Sequence, residues 1–427
     1  MLVLSGCQAN GKFPSSAESK EGTPDSQPES SSEIVSEDPN GNKVAEENPS
    51  LKELGITYNM LARSLVGGGD SQIRLRIANV MRKAQNGEPI TVACIGGSIT
   101  QGFNASAEDK KYPSLIKKWF EVNFPKAQVE LINCGQGATG SIIGLHRAPD
   151  DLFPGKPDFV VVEFAKNDSR DFIEQTAYEN LLRNILSQPQ DCGVLSLCFF
   201  SDDGSNVEDI HEGFSGHYGI PQISVRNTVW PEIEAGRMKW SDYSNDTVHP
   251  LDRGHAIAAA LVCDYLDGLL KNIDTIGGSV EPITKSYLTS DTFKDAKRLT
   301  PLNITVLSTG DFKVSDNAQW QFKDGFIAQG AKEGLKFEVT AKNIGFMWKM
   351  YIDGTGGTVD VYIDGTKIEN SGELKGELNA DFSGGYGEYC NRAISFMGNT
   401  AEKHTIELKP RAFSGNTKFT LLGVLVS

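Results

Sequence analysis

Between residues 90 and 270 the chain alternates short, continuous apolar runs with amphipathic stretches, and this alternation limits the fold more than any other feature. Residues 90–95, 129–133, 158–164, 193–200 and 220–225 read as strands with apolar residues on both faces. Residues 112–124, 172–186, a stretch around 207–217, and 252–270 carry apolar side chains at helical spacing. Asp70-Ser71 caps an earlier helix bearing Ile73, Ile77, Val80 and Met81, which Gly87 and Pro89 stop. Strands buried on both faces need helices on both sides. The pattern therefore predicts an α/β fold, a doubly wound parallel sheet of about five strands over residues 51–272, with 51–66 packed on its outside.

After residue 302 the helical period disappears. Short β-rich runs at 320–322, 335–339, 359–363, 405–408 and 419–422 are separated by glycine turns. Tyr-Ile-Asp-Gly-Thr occurs at both 351–355 and 362–366, each with an Asp-Gly turn signal. Residues 301–427 are expected to form an all-β sandwich, joined to the first domain by a linker at 273–300. At the other end, residues 8–50 are rich in Ser and Asp/Glu, hold only three Lys, and bury too little apolar surface to order themselves. Leu4-Ser5-Gly6-Cys7 resembles the lipobox of bacterial lipoproteins. The resemblance implies that residues 1–7 are the end of a shortened signal, that Cys7 is lipidated, and that 8–50 tethers an enzyme to the outer cell surface.

The net charge is −15, with 41 Lys and Arg against 56 Asp and Glu, and no basic run. Nucleic acid and anionic membrane surfaces are therefore poor partners, so membrane contact is expected only through the lipid anchor. The remaining cysteines lack metal-ligand spacing and read as buried thiols; a Cys94–Cys134 disulfide is left open. Asp202-Asp203-Gly204-Ser205-Asn206 has the flavour of a calcium loop but no later Glu, and reads as a solvated turn. No metal or cofactor is called for.

Four clusters carry the chemistry. Gly96-Gly97-Ser98-Ile99-Thr100 ends the first strand, Asn133-Cys134-Gly135-Gln136-Gly137 the second, and Glu163-Phe164-Ala165-Lys166-Asn167-Asp168 the third. Asp246-Thr247-Val248-His249-Pro250 precedes the last helix. An α/β sheet gathers its site at the carboxyl ends of its strands. A serine hydroxyl becomes a nucleophile when an imidazole takes its proton. Asp246 and His249, three residues apart, can supply orienter and base from one turn. The amides of Ser98 and Gly137 and the side chain of Asn167 supply three donors for an oxyanion.

In order and spacing these blocks resemble those of the SGNH (GDSL-type) hydrolase superfamily, over about half the chain. The resemblance implies a flavodoxin-like sheet with Ser98 as nucleophile, Gly137 and Asn167 as oxyanion donors, and His249 and Asp246 as base and orienter. Gly97 departs from the frequent Asp, a Gly-Gly-Ser variant that occurs among carbohydrate-acting relatives. Lys166 replaces a small residue. Gly97, Lys166, His146 and Arg147 are candidates to line the substrate pocket, whereas His211 and His217 are expected to pack or cap helices and His255 to sit in the core or just behind the site. Trp320, Trp348, Tyr351, Tyr362, Tyr386 and Tyr389 are either sandwich core or a sugar-stacking surface. The expected function is removal of acetyl or other small acyl groups from a polysaccharide or oligosaccharide. A lipase or general carboxylesterase of the same fold, and a non-catalytic carbohydrate-binding protein, are the alternatives.

Overall fold

The computed structural model describes residues 43–45, 48–384 and 389–427. Cys7, most of the acidic tether and Tyr386 lie outside the described residues.

Helices α1 (Pro49–Leu54) and α2 (Tyr58–Ser64) lead into a two-residue strand β1 (Leu65–Val66). Helix α3 (Ser71–Gln85) starts where Asp70 accepts a hydrogen bond from the Ile73 amide at 2.9 Å, a side-chain cap of the expected kind. Then follow β2 (Ile90–Gly96), α4 (Ser98–Gln101), α5 (Tyr112–Asn123), β3 (Val129–Gly135), α6 (Ser141–Asp151), β4 (Phe159–Glu163) and α7 (Phe172–Leu186). The region closes with β5 (Gly193–Cys198), α8 (Glu208–Tyr218), β6 (Gln222–Ser224), α9 (Val225–Glu234) and α10 (Asp252–Lys271).

The strands lie in the order β1-β6-β5-β4-β2-β3, parallel from β2 to β6, with β1 antiparallel at the edge. This is the doubly wound α/β sheet with one short strand more than the sequence suggested. Two residues of β1 are too few to show a period. The β2–β3 register sets Ile95 beside Cys134, so Cys94 points to the opposite face. A Cys94–Cys134 disulfide is thereby excluded, and both are free, buried thiols.

The second region holds β7 (Lys297–Leu299), β8 (Thr305–Ser308), β9 (Lys313–Ser315), β10 (Gly325–Gln329), β11 (Leu335–Ala341) and β12 (Asn343–Lys349). It continues with β13 (Thr358–Ile363), β14 (Thr366–Lys367), β15 (Glu377–Asn379), β16 (Cys390–Phe396), β17 (Glu402–Pro410) and β18 (Lys418–Val426). Two antiparallel sheets, β16-β12-β18-β10-β9 with β7 on β18, and β14-β13-β17-β11-β8 with β15 on β13, form a sandwich. Its core includes Phe337, Val361 and Leu408 from one sheet and Phe346, Phe419 and Val424 from the other. The second Asp-Gly signal makes the β13–β14 hairpin turn, where Asp364 and Gly365 both take positive φ, as that turn requires.

Both regions belong to one compact unit. Met347, Cys390, Ile394, Leu422 and Leu425 of the sandwich share a buried cluster with the α/β core, so the two are joined by apolar packing. The segment between them is strapped down. Glu179 on α7 accepts from the amides of Leu288 and Thr289 at 2.6 and 2.8 Å, and Asn343 on β12 donates to Thr292 at 2.9 Å.

Candidate active site

The chain reverses its winding direction between β2 and β4, the place where this class of sheet opens a crevice. Gly96 at the end of β2 is in register with Gly135 on one side and Glu163 on the other. The loops carrying Ser98, Gly137 and Asn167 therefore leave three adjacent strands side by side. At Gly97 a Cβ would stand 2.3 Å from Asn167 Oδ1. A larger residue at 97 would displace the Asn167 amide from the turn that presents Ser98. Below the turn, Glu163 is fully buried. It accepts from the Thr100 hydroxyl at 2.9 Å, and burial pushes its carboxyl up to about 8.

Ser98 opens α4, and its Oγ lies 2.8 Å from His249 Nε2. His249 Nδ1 lies 2.8 Å from Asp246 Oδ2, while Asp246 Oδ1 accepts from the amides of Val248 and His249 at 2.7 and 2.6 Å. Burial raises the Asp246 carboxyl, but those amides and the imidazole outweigh it, and the net shift is downward. The turn that holds the pair is itself fixed. Trp240 Nε1 donates to Asp246 O at 2.7 Å and Ser244 Oγ donates to His249 O at 2.7 Å. Two neighbours that sequence reasoning missed complete it. Phe103 packs its ring 4.4 Å from the His249 ring, and Asn104 donates to Asp246 Oδ2 at 3.2 Å.

The residues expected to donate to an oxyanion lie beside one another. Gly97 caps α4 without a side-chain cap, so the Ser98 amide sits at the open first position of that helix. A Cβ on Gly137 would lie 3.8 Å from Ser98 Cβ, which puts this glycine against the nucleophile turn. Asn133 ties the two loops together, donating to Thr100 O at 2.9 Å and accepting from the Gly135 amide at 2.9 Å. Replacing Asn167 by Ala should lower kcat by roughly 10²–10³ with little change in KM. Steady-state kinetics would show this, and a loss below about threefold would remove Asn167 from the role.

The remaining candidates separate. Ser98, Asp246, His249 and Lys166 are half-buried and Asn167 is exposed, so the site is open. His146 and Arg147 are corrected: they are 1% exposed and line no open pocket. Both lie on α6, which turns them inward. His146 Nδ1 donates to Ile142 O at 2.7 Å, and burial lowers its pKa to about 4. Arg147 pairs with Asp151 at 2.9 Å and donates to Gly96 O at 3.1 Å, buttressing the end of β2. His255 is buried beside Phe103 O, and His217 donates to Ser286 O. Asp203 accepts from the Ser205 amide in a turn. Among the described residues no three His, Cys, Asp or Glu side chains are grouped to hold a metal ion.

The sandwich aromatics divide as well. Trp348 and Tyr351 are buried, Tyr362 lies under Lys409, and Tyr389 packs edge-on to Phe382. Trp320 is 61% exposed. Its neighbour Gln321 reaches across to Gly137 O at 3.4 Å, so a sandwich loop borders the site.

Fold and site together define a serine hydrolase of the SGNH type that carries a β-sandwich. Residues 94–257 match the GDSL-like lipase/acylhydrolase family. Among solved structures the chain is similar to a two-domain esterase active on acetylated mannans, with 27% identity over 86% of this chain and 98% of that one and a TM-score of 0.78. A second structure of such an esterase, co-crystallised with mannopentaose, matches at 27% identity over 86% and 97%, with a TM-score of 0.77. No curated protein matches the chain.

Proposed function

We propose that the protein is a carbohydrate acetylesterase in which Ser98, His249 and Asp246 act as nucleophile, base and orienter. The observation that carries this reading is the likeness to an esterase active on acetylated mannans, which extends over both the α/β domain and the sandwich. The site suits the chemistry. His249 Nε2 takes the Ser98 proton as Oγ attacks the acetyl carbonyl, and the Ser98 and Gly137 amides and the Asn167 amide receive the negative charge. The tetrahedral intermediate collapses, His249 returns the proton to the departing sugar oxygen, and acetyl-Ser98 remains. Water, deprotonated by the same imidazole, then releases acetate. An open site fits a polymer better than a buried acyl tail. Exposed Trp320 next to Gln321 offers a ring face for a sugar on the sandwich side.

The test compares acetate release from acetylated mannan and acetylated xylan with hydrolysis of a long-chain nitrophenyl ester. Release of acetate from a polysaccharide, with the long-chain ester turned over at least roughly 100-fold less efficiently, is expected. Preference for the long chain would point to a lipase or general esterase. Polysaccharide binding without any turnover would point to a vestigial site.

A further inference from the structure

The amides at the start of α6 find their partners far away in sequence. Gly140 caps this helix and has no side chain to offer. Instead the Ser141 amide donates to Asp168 Oδ1 at 2.7 Å and the Ile142 amide donates to Glu174 Oε2 at 3.0 Å. Asp168 follows Asn167 directly, and α6 follows the Gly137 loop directly. The two carboxyls thus clamp together the loops that carry two of the three oxyanion donors. There is no slack: a Cβ on Gly140 would lie 2.7 Å from Asp168 Oδ1 and 3.2 Å from both Glu174 oxygens.

Two adjoining buried carboxyls are costly without a counter-charge. Every oxygen of the pair accepts a hydrogen bond, the last two from the Ser141 hydroxyl and His211 to Asp168 Oδ2 and from Arg392 Nη2 to Glu174 Oε1 at 2.6 Å. His211 is stacked on Tyr178 at 3.6 Å, and burial lowers its pKa to about 3, so it serves as a neutral donor. Among the described residues, Arg392 is the cation whose charge bears on both carboxyls. It comes from β16 of the sandwich. Glu373 holds its other nitrogen and accepts from the Ile394 amide at 3.1 Å, which fixes the guanidinium from behind.

We propose that Arg392 is a positioning residue: through Glu174 and Asp168, the sandwich holds the Gly137 and Asn167 loops in register for oxyanion stabilisation. This rests on the active-site reading above and adds a reason for the two domains to be fused. The apolar interface through Met347, Cys390, Ile394, Leu422 and Leu425 already keeps the domains together, so loss of Arg392 acts on the clamp.

The clamp has a pH signature. Besides Arg392, the groups facing the pair are His211 on α8, Tyr178 on α7 and Glu163 at the end of β4, while Glu373 on the sandwich and His146 of α6 lie beside Arg392. Burial raises both carboxyls, and Arg392 opposes that rise. Without the guanidinium they take up protons at higher pH. A protonated carboxyl is a poorer acceptor for the α6 amides, so the acid limb of kcat moves up in pH.

The experiment is a kcat and KM profile over pH for the full chain and for Arg392→Gln, Arg392→Lys and Glu174→Gln, on an acetyl ester that the unaltered protein turns over. Arg392→Gln should lose roughly 10- to 100-fold in kcat near neutrality with KM within about twofold. Its acid limb should rise by about one pH unit, and Arg392→Lys should restore most of both effects. A kcat unchanged at every pH, or reduced by one factor at all pH values with Lys no better than Gln, would overturn the proposal. Should Arg392→Gln not fold, Glu174→Gln decides: kcat within about twofold of the unaltered protein overturns it, and a roughly tenfold loss supports it. Ser98→Ala, run alongside, separates the two claims. An active Ser98→Ala removes the active-site reading, whereas an inactive one beside a fully active Arg392→Gln removes only the clamp.

Discussion

Ser98→Ala should abolish acetate release, lowering kcat by roughly 10⁴-fold or more. Alanine leaves His249 with no hydroxyl to deprotonate, while the amides of Ser98 and Gly137 and the side chain of Asn167 still surround the ester carbonyl. Any residue of activity would come from those donors and from binding. The substitution removes one half-buried hydroxyl whose partner is His249 Nε2 at 2.8 Å, so the fold should survive with a Tm close to that of the unaltered protein. Matched thermal melts and acetate assays check both halves of the statement. A variant that folds and retains a tenth of the activity would remove Ser98 from the mechanism.

Asp246→Asn should be nearly as damaging, by roughly 10⁴-fold in kcat, although it changes one atom. The reason is in the hydrogen bonds. Oδ1 of residue 246 accepts from two backbone amides, at 2.7 and 2.6 Å, so the amide of an introduced Asn must keep its oxygen there. Its NH₂ then faces His249 Nδ1 across the 2.8 Å contact and forces that nitrogen to accept. The ring proton moves to Nε2, where it points at Ser98 and blocks proton transfer. Proton NMR of the imidazole N–H and the kcat of the variant should change together. Full activity with the proton on Nε2 would show that Asp246 does not set the tautomer.

The strands, their parallel sense and the Ser98, Gly137 and Asn167 loops were legible because each of these loops directly follows an apolar run, and a strand's end fixes where its loop emerges; the Asp246–His249 turn was legible from its residue types and its place before the last helix. The sandwich was legible from turn chemistry and a lost helical period. What sequence order could not reveal was which face of an element looks inward. His146 and Arg147 follow the Gly137 loop closely enough to suggest a pocket. They lie instead on the inner side of α6, an element obscured by Pro149 in its last turns. Phe103 and Asn104 carry no motif; their closeness to His249 arises from the short α4 turning the chain back. Gln321 and Arg392 were beyond reach for another reason. Their partners, Gly137 and Glu174, lie 184 and 218 positions away, and a contact across domains leaves no local spacing to read.

One measurement bears most directly on the claim that this chain deacetylates carbohydrate through Ser98. The protein is mixed with acetylated manno-oligosaccharide, quenched in acid during turnover, and the peptide carrying Ser98 is weighed by mass spectrometry. A single acetyl increment on Ser98, gained during turnover and lost once substrate is exhausted, is the predicted result. Steady acetate release with Ser98 never acetylated would contradict the account.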